Sequence, residues 1–149
     1  MMSVKKKRPR THANPLSFHG ELQSVNFDDV FEHYSGEIDF EVGVGKGQFI
    51  RHYANLFPER CIVGAEIRKA MVDNLQIDLN EASIQNVYLS YSSAEICLRD
   101  LVPDQSIARC FIFHPDPWIK KKHQKRRVIS TAFLTQLLPK LRSDARLYV

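Results

Sequence analysis

Apolar positions along this chain fall into two alternating rhythms. Short apolar or β-branched runs recur at EIDFEVGV (37–44), RCIVGAEI (60–67), NVYLSYS (86–92), IARCFIF (107–113) and ARLYV (145–149), and each has strand length and composition. Between them the spacing becomes helical. GQFIRHYANLF (47–57) sets Phe49, Ile50, Tyr53, Ala54 and Phe57 on one face and is closed by Pro58. RKAMVDNLQIDLNEAS (68–83) presents Met71, Leu75, Ile77 and Leu79, AEICLRDL (94–101) reads as a shorter helix, and VISTAFLTQLLPKL (128–141) as another. VNFDDVFEHY predicts a short helix ahead of the first strand. Strands alternating with helices, several of them apolar on both faces, predict an α/β fold: a Rossmann-like, doubly wound, mainly parallel sheet. The sequence stops inside the fifth strand, so a domain missing its last strands is expected.

Charge adds a partner to this picture. Residues 1–20 are polar, basic and proline-containing and read as a flexible arm, with 21–149 as one domain. The 149 residues are 44% hydrophobic and 26% charged, which suits a single globular core. Lys and Arg number 21 against 17 acids, a modest excess that is strongly clustered. Lys5, Lys6, Lys7, Arg8 and Arg10 form one cluster, and Lys120, Lys121, Lys122, Lys125, Arg126 and Arg127 form the other. Two such clusters point to an anionic polymer. Cys61, Cys97 and Cys110 are odd in number and lack CxxC spacing, so they read as buried thiols in a reducing cytoplasm, with no disulfide and no metal site. No signal peptide and no run of membrane-spanning length is present, and a soluble cytoplasmic protein with no membrane partner is expected.

The first βα turn, EVGVGKGQF, carries Gly43, Gly45 and Gly47 where the backbone must bend tightly and approach a ligand. A glycine turn alone is weak evidence. Glu66 strengthens it, because an acid ending the second strand about 20 residues later commonly accepts hydrogen bonds from the hydroxyls of an adenosine ribose. The spacing GxGxG departs from the dinucleotide GxGxxG, and Glu41 just before it would repel a pyrophosphate. S-adenosylmethionine, with a sulfonium and an ammonium group and no phosphate, suits Glu41 better than a nicotinamide dinucleotide does. A nicotinamide-dependent oxidoreductase is therefore the disfavoured alternative. At the end of the third strand, Ser93 serves either as an adenine contact or as a plain turn serine.

The fourth strand runs into FHPDPWIKKKHQKRR, at the carboxyl end of the predicted sheet, where doubly wound folds carry out their chemistry. Pro115 and Pro117 fix φ at their own positions and hold His114 and Asp116 extended, so the Asp116 carboxylate is preorganised. Trp118 is either core or a stacking face, and His114 suits packing or support better than a general base.

These stretches, EVGVGKG, GAEIRKAMVDN and FHPDPWIKKKHQKRR, together resemble the tRNA (guanine-N7-)-methyltransferase family from about residue 37 to 149. The resemblance implies the S-adenosylmethionine-dependent methyltransferase fold, that donor, and a guanine of the tRNA variable loop as acceptor. It implies that Glu41 and Glu66 contact the donor, that Asp116 is the active-site acid near donor and base, and that Lys120 contacts substrate. It further implies that Lys122, His123, Lys125, Arg126 and Arg127 lie against RNA. Guanine N7 has a free lone pair, so its methylation needs alignment and no general base. Asp116 either orients the base through its N–H groups or offsets the charge left on the methylated purine. The family continues past the fifth strand to a Thr-Asp motif and a Thr-x-Phe-Glu motif, both absent here, so a non-catalytic tRNA-binding relative is the second expectation. Oligomeric state is open between monomer and homodimer.

Overall fold

The computed structural model of the chain describes residues 6–8, 13–14, 18, 20–113 and 129–149. Its elements follow in order as α1 (Phe27–Val30), β1 (Ile38–Val42), α2 (Gln48–Leu56), β2 (Ile62–Glu66), α3 (Lys69–Glu81), β3 (Val87–Tyr91), α4 (Ala94–Asp100), β4 (Ile107–Phe111), α5 (Thr131–Leu137) and β5 (Leu141–Tyr148). The five strands form one sheet in the order β3-β2-β1-β4-β5. All pairings are parallel, so every strand ends on the same edge.

Helices cover both faces, as a doubly wound fold requires. On one side Phe40, Val42, Val63 and Ala65 pack with Cys97 and Leu98 of α4 and Phe133 and Leu137 of α5. On the other, Ile62 and Phe111 pack with Ile50 and Tyr53 of α2 and Leu75 and Leu79 of α3. Every residue of β1 and β2 is buried, so β2 reads as an apolar run up to Glu66, while β1 carries Asp39 and Glu41 into the interior. Among the described residues no helix is long and apolar enough to cross a membrane.

The predicted elements all form; the first helix is confined to Phe27–Val30, and three shifts fall in the C-terminal elements. α5 starts at Thr131 because the Ser130 hydroxyl oxygen accepts the Phe133 N–H at 3.1 Å, an N-cap that fixes the first turn. It ends at Leu137 and tightens into a 3-10 turn at Leu138–Lys140, where Pro139 has no N–H for the α-helical ladder. β5 then begins at Leu141, earlier than the apolar run ARLYV, because Leu141 pairs with Ile107 of β4. The register then shifts, so that regular pairing resumes only at Arg146 opposite Arg109, within the predicted apolar run. Ile77 lies half-buried beside the α3 stripe of Met71, Leu75 and Leu79.

The three cysteines are free and buried. Burial pushes the Cys97 and Cys110 thiols up to about 12, which makes them poor nucleophiles. Asn86, just before β3, ties the far end of the sheet together. Its side-chain amide donates to the carbonyls of Ala54, Phe57 and Arg60 at 3.2, 3.1 and 3.0 Å.

Gly64, in the middle of β2, lets the first βα turn settle on the sheet. A Cβ there would fall 2.5 Å from Cγ1 of Val44 and 2.9 Å from Cδ1 of Ile50. Gly64→Ala is expected to destabilise the fold by about 1–3 kcal/mol through overpacking, seen as a lower urea midpoint with an unchanged slope.

Candidate functional site

The β1–α2 turn is built by its glycines. Gly43, Gly45 and Gly47 have φ of +70°, +57° and +76°, a region that side chains with a Cβ rarely adopt. Gly47 is doubly constrained, because a Cβ on it would also collide with the Leu75 side chain of α3. The N–H groups of Gly43 and Val44 donate to the Ala65 carbonyl at 2.9 and 3.2 Å, which pins the turn to the end of β2. Glu66 is thereby brought beneath it.

The Glu66 carboxylate is fully engaged. Its Oε2 accepts the Gly45 N–H at 2.9 Å and an Arg68 guanidinium N–H at 3.0 Å, while Oε1 accepts the Arg68 backbone N–H at 3.0 Å and Arg68 Nε at 2.8 Å. The acid therefore faces the glycine turn in one fixed orientation. Arg68, which holds it there, is not singled out by the sequence; its only signal is its position two residues past the strand-end acid.

Two more acids sit on β1, and their situations differ. Asp39 is fully buried and well paired: it accepts from the Tyr53 hydroxyl at 2.7 Å and from Arg60 at 3.2 Å, and Arg109 stands at 3.6 Å. Glu41, two residues on and hence on the same face, is 4% exposed and its Oε2 has no hydrogen-bond partner. Burial, and then the charge of Glu66, push the Glu41 carboxyl up to about 8. An orphaned buried acceptor of this kind costs ~1–3 kcal/mol. A cation placed beside it would satisfy the oxygen and return the group to its charged form. A phosphate would do the reverse. The residues present thus fit a donor with a sulfonium and an ammonium group, and they do not fit a pyrophosphate.

Ser93 lies one residue beyond Ser92, whose N–H donates to the Glu66 carbonyl at 3.1 Å. Its hydroxyl oxygen is the N-cap of α4, accepting from Ile96 N–H at 3.3 Å, and its O–H remains able to donate. Glu41, Gly43, Gly45, Gly47 and Glu66 are therefore gathered at the carboxyl edge of β1 and β2, with Ser93 on the neighbouring strand end. Asp116, Lys120, Lys122, His123, Lys125, Arg126 and Arg127 lie outside the described residues, as do His114 and Trp118. β4, which leads to them, pairs Phe111 with Glu41.

Two lysines of the N-terminal segment stand against α3. Lys7 Nζ pairs with Asp73 at 3.0 Å, its backbone N–H donates to Asn74 Oδ1 at 2.9 Å, and Lys6 pairs with Asp78. Asn74 returns a hydrogen bond to the Lys7 carbonyl at 2.7 Å. The lysines are plain in the sequence, but the acidic outer face of α3 that receives them is not.

The model of a family described as "Putative methyltransferase" matches residues 35–149. The tRNA (guanine-N(7)-)-methyltransferase of Buchnera aphidicola subsp. Acyrthosiphon pisum (strain 5A) is 33% identical over 129 residues, 87% of this chain and 54% of that protein. The protein of the same name from Legionella pneumophila subsp. pneumophila (strain Philadelphia 1) is 37% identical over 117 residues, 78% of this chain and 52% of that protein. The chain thus spans about half the length of the curated relatives it matches. Among solved structures, a SAM dependent methyltransferase from Aquifex aeolicus superposes with a TM-score of 0.56 at 17% identity, over 81% of this chain and 58% of that one. At that identity the likeness is one of fold.

The unpaired Glu41 carboxyl makes a prediction about pH. Its proton is held in the folded chain up to about 8 but released from the unfolded chain near its ordinary value of 4.5. Between those values the folded state binds more protons, so its stability falls as pH rises through the window. Glu41→Gln keeps the shape and removes the titration. Its urea midpoint should match the parent near pH 4 and exceed it above about pH 8; coincident midpoints at high pH would show that Glu41 is not buried unpaired.

Proposed function

This chain belongs to the family described as "Putative methyltransferase", and from that premise we propose that it transfers a methyl group from S-adenosylmethionine to N7 of a guanine in the variable loop of tRNA. The observation that carries the reading is the orphaned carboxylate of Glu41 beside a glycine turn that Glu66 braces. That pairing of a buried unsatisfied acid with a fixed one calls for a cationic adenosine ligand and speaks against a dinucleotide. The names of the relatives supply N7 of a tRNA guanine as the acceptor, and the resemblance of the motifs supplies the variable loop.

S-adenosylmethionine supplies a methyl group already activated on a sulfonium. The chain's own residues have the remaining work. Glu41 faces the donor's positive end, and Glu66, kept oriented by the Gly45 N–H, accepts hydrogen bonds from the ribose hydroxyls in exchange for Arg68 guanidinium contacts. Ser93 stands at the adenine side. Asp116, fixed between two prolines, aligns the guanine or offsets the positive charge the purine acquires. Lys120 contacts the substrate near that acid. Lys122, His123, Lys125, Arg126 and Arg127 neutralise tRNA phosphates in a cytoplasmic setting. No base is needed at N7, because its lone pair is free.

Incubating the full chain with methyl-labelled donor and unmodified tRNA should yield 7-methylguanosine, and Asp116→Ala should abolish that product. Salt-sensitive tRNA binding with no methyl transfer would replace this reading with that of an RNA-binding relative. The N-terminal segment belongs to the same reading. Deleting residues 1–10 should weaken tRNA binding and flatten its salt dependence by about one unit of slope for each phosphate left unneutralised, measured across a salt series; an unchanged slope would remove the segment from the interface.

A further inference from the structure

The strand register lines up one row of side chains across the α2/α3 face of the sheet. Leu89 pairs with Gly64, Gly64 with Glu41, Glu41 with Phe111, and Phe111 with Tyr148. Immediately beside the unsatisfied acid, the row therefore turns aromatic. Tyr148 stacks on Phe111 with ring centroids 5.1 Å apart and planes 20° from parallel. Phe113, two residues past the Phe111 that ends β4, meets Phe111 at 5.8 Å and Phe49 of α2 edge-on at 4.8 Å. Phe111 itself is 5% exposed, whereas Phe113 and Tyr148 are 36% and 37% exposed. These two rings are held from behind and present surface at the edge where the strands end.

Their setting decides what that surface suits. An aliphatic patch would ask only for apolar cover, but an aromatic face also attracts planar rings and cations. The neighbouring Glu41 carboxyl is one that a cation would satisfy. The N7-methylation proposed above, on which this inference rests, forms a C–N bond to the purine as the S–C bond of the sulfonium breaks. The sulfur leaves as a neutral thioether and the positive charge passes to the base. A planar base that becomes cationic on the way to product matches an exposed aromatic pair continuous with the donor site.

We propose that Phe113 and Tyr148, backed by Phe111 and Phe49, form the subsite for the acceptor base, stacking on the guanine and favouring it as it becomes charged. The subsite therefore distinguishes 7-methylguanine from guanine. Stacking itself is tolerant of base identity, so recognition of guanine over other bases falls to hydrogen-bonding groups elsewhere.

The test uses the full chain and two nucleotides, guanosine 5′-monophosphate and 7-methylguanosine 5′-monophosphate, titrated by NMR. The parent should bind the methylated nucleotide about two- to fivefold more tightly, the range expected of an exposed cation–aromatic contact. Tyr148→Phe and Phe113→Tyr should keep that preference, while Tyr148→Leu combined with Phe113→Leu should erase it. Urea unfolding of each variant separates loss of the subsite from loss of the fold, and the aromatic exchanges carry the test if the leucine pair does not fold. No preference in the parent, no dependence on the aromatic rings, or loss of preference in the aromatic exchanges would overturn the proposal. Labelled methyl transfer to tRNA scores the proposed function separately. Transfer that is indifferent to these rings sinks the subsite alone, and a ring-dependent preference without transfer or S-adenosylhomocysteine binding sinks the activity alone.

Discussion

The structure depends on how its central strand handles two buried carboxylates. β1 lies in the middle of a parallel sheet, where both faces are covered and an ionised group costs several kcal/mol unless partnered. Asp39 and Glu41 nevertheless point to the same face. The fold answers Asp39 from three elements: Tyr53 of α2, Arg60 of the loop before β2 and Arg109 of β4. It leaves one oxygen of Glu41 unanswered. Two like groups two residues apart are thus treated in opposite ways, and only the one nearer the carboxyl edge is left short. A merely tolerated acid would be expected to acquire a partner or be replaced by an apolar residue of its size. The unfilled acceptor is the place where the proposed donor's cation would answer what the fold does not.

Much of this was legible in the sequence because it is local. The strands and helices follow from the change between a run of apolar residues and a period of 3.6, and the glycine turn from residues that adopt positive φ without a Cβ penalty. What stayed hidden is long-range. The salt bridges of Asp39 reach Arg60 and Arg109, 21 and 70 residues away, and nothing in the run IDFEV announces them. Arg68 was hidden for another reason. It lies two residues past Glu66, but only the bend after β2 shows that it locks the acid and does not merely neighbour it. Ser93 illustrates a third case, in which one hydroxyl oxygen serves as a helix cap whether or not it also meets a ligand.

The early start of β5 has the same physical origin. Its first residues, LRSD, have no strand character by composition, yet Leu141 pairs with Ile107 because β4 offers a finished edge. A strand laid on an existing template is specified by the template. The register that sets Tyr148 against Phe111 is established separately, past an irregularity, where Arg146, Leu147 and Tyr148 pair with Arg109, Cys110 and Phe111, so the aromatic end of the row is a product of sheet pairing and not of any motif.

Taken across the sheet, that row grades from small to acidic to aromatic: Gly64 under the glycine turn, Glu41 at the centre, then Phe111 and Tyr148. Each position is what its neighbours permit. Gly64 is glycine because Val44 and Ile50 occupy the space above it, and their closeness is what brings the turn down onto β2. That descent lets the Gly45 N–H reach Glu66 and fixes that acid close enough to add to the burial that raises the Glu41 carboxyl. Glu41 is then poised to change charge when a cation arrives, beside rings that favour a cation of their own. A single steric allowance in β2 thus propagates through hydrogen bonding to electrostatics. In the proposed reaction, charge on the donor side and charge developing on the acceptor side would fall to adjacent members of one row, an adjacency that parallel register provides.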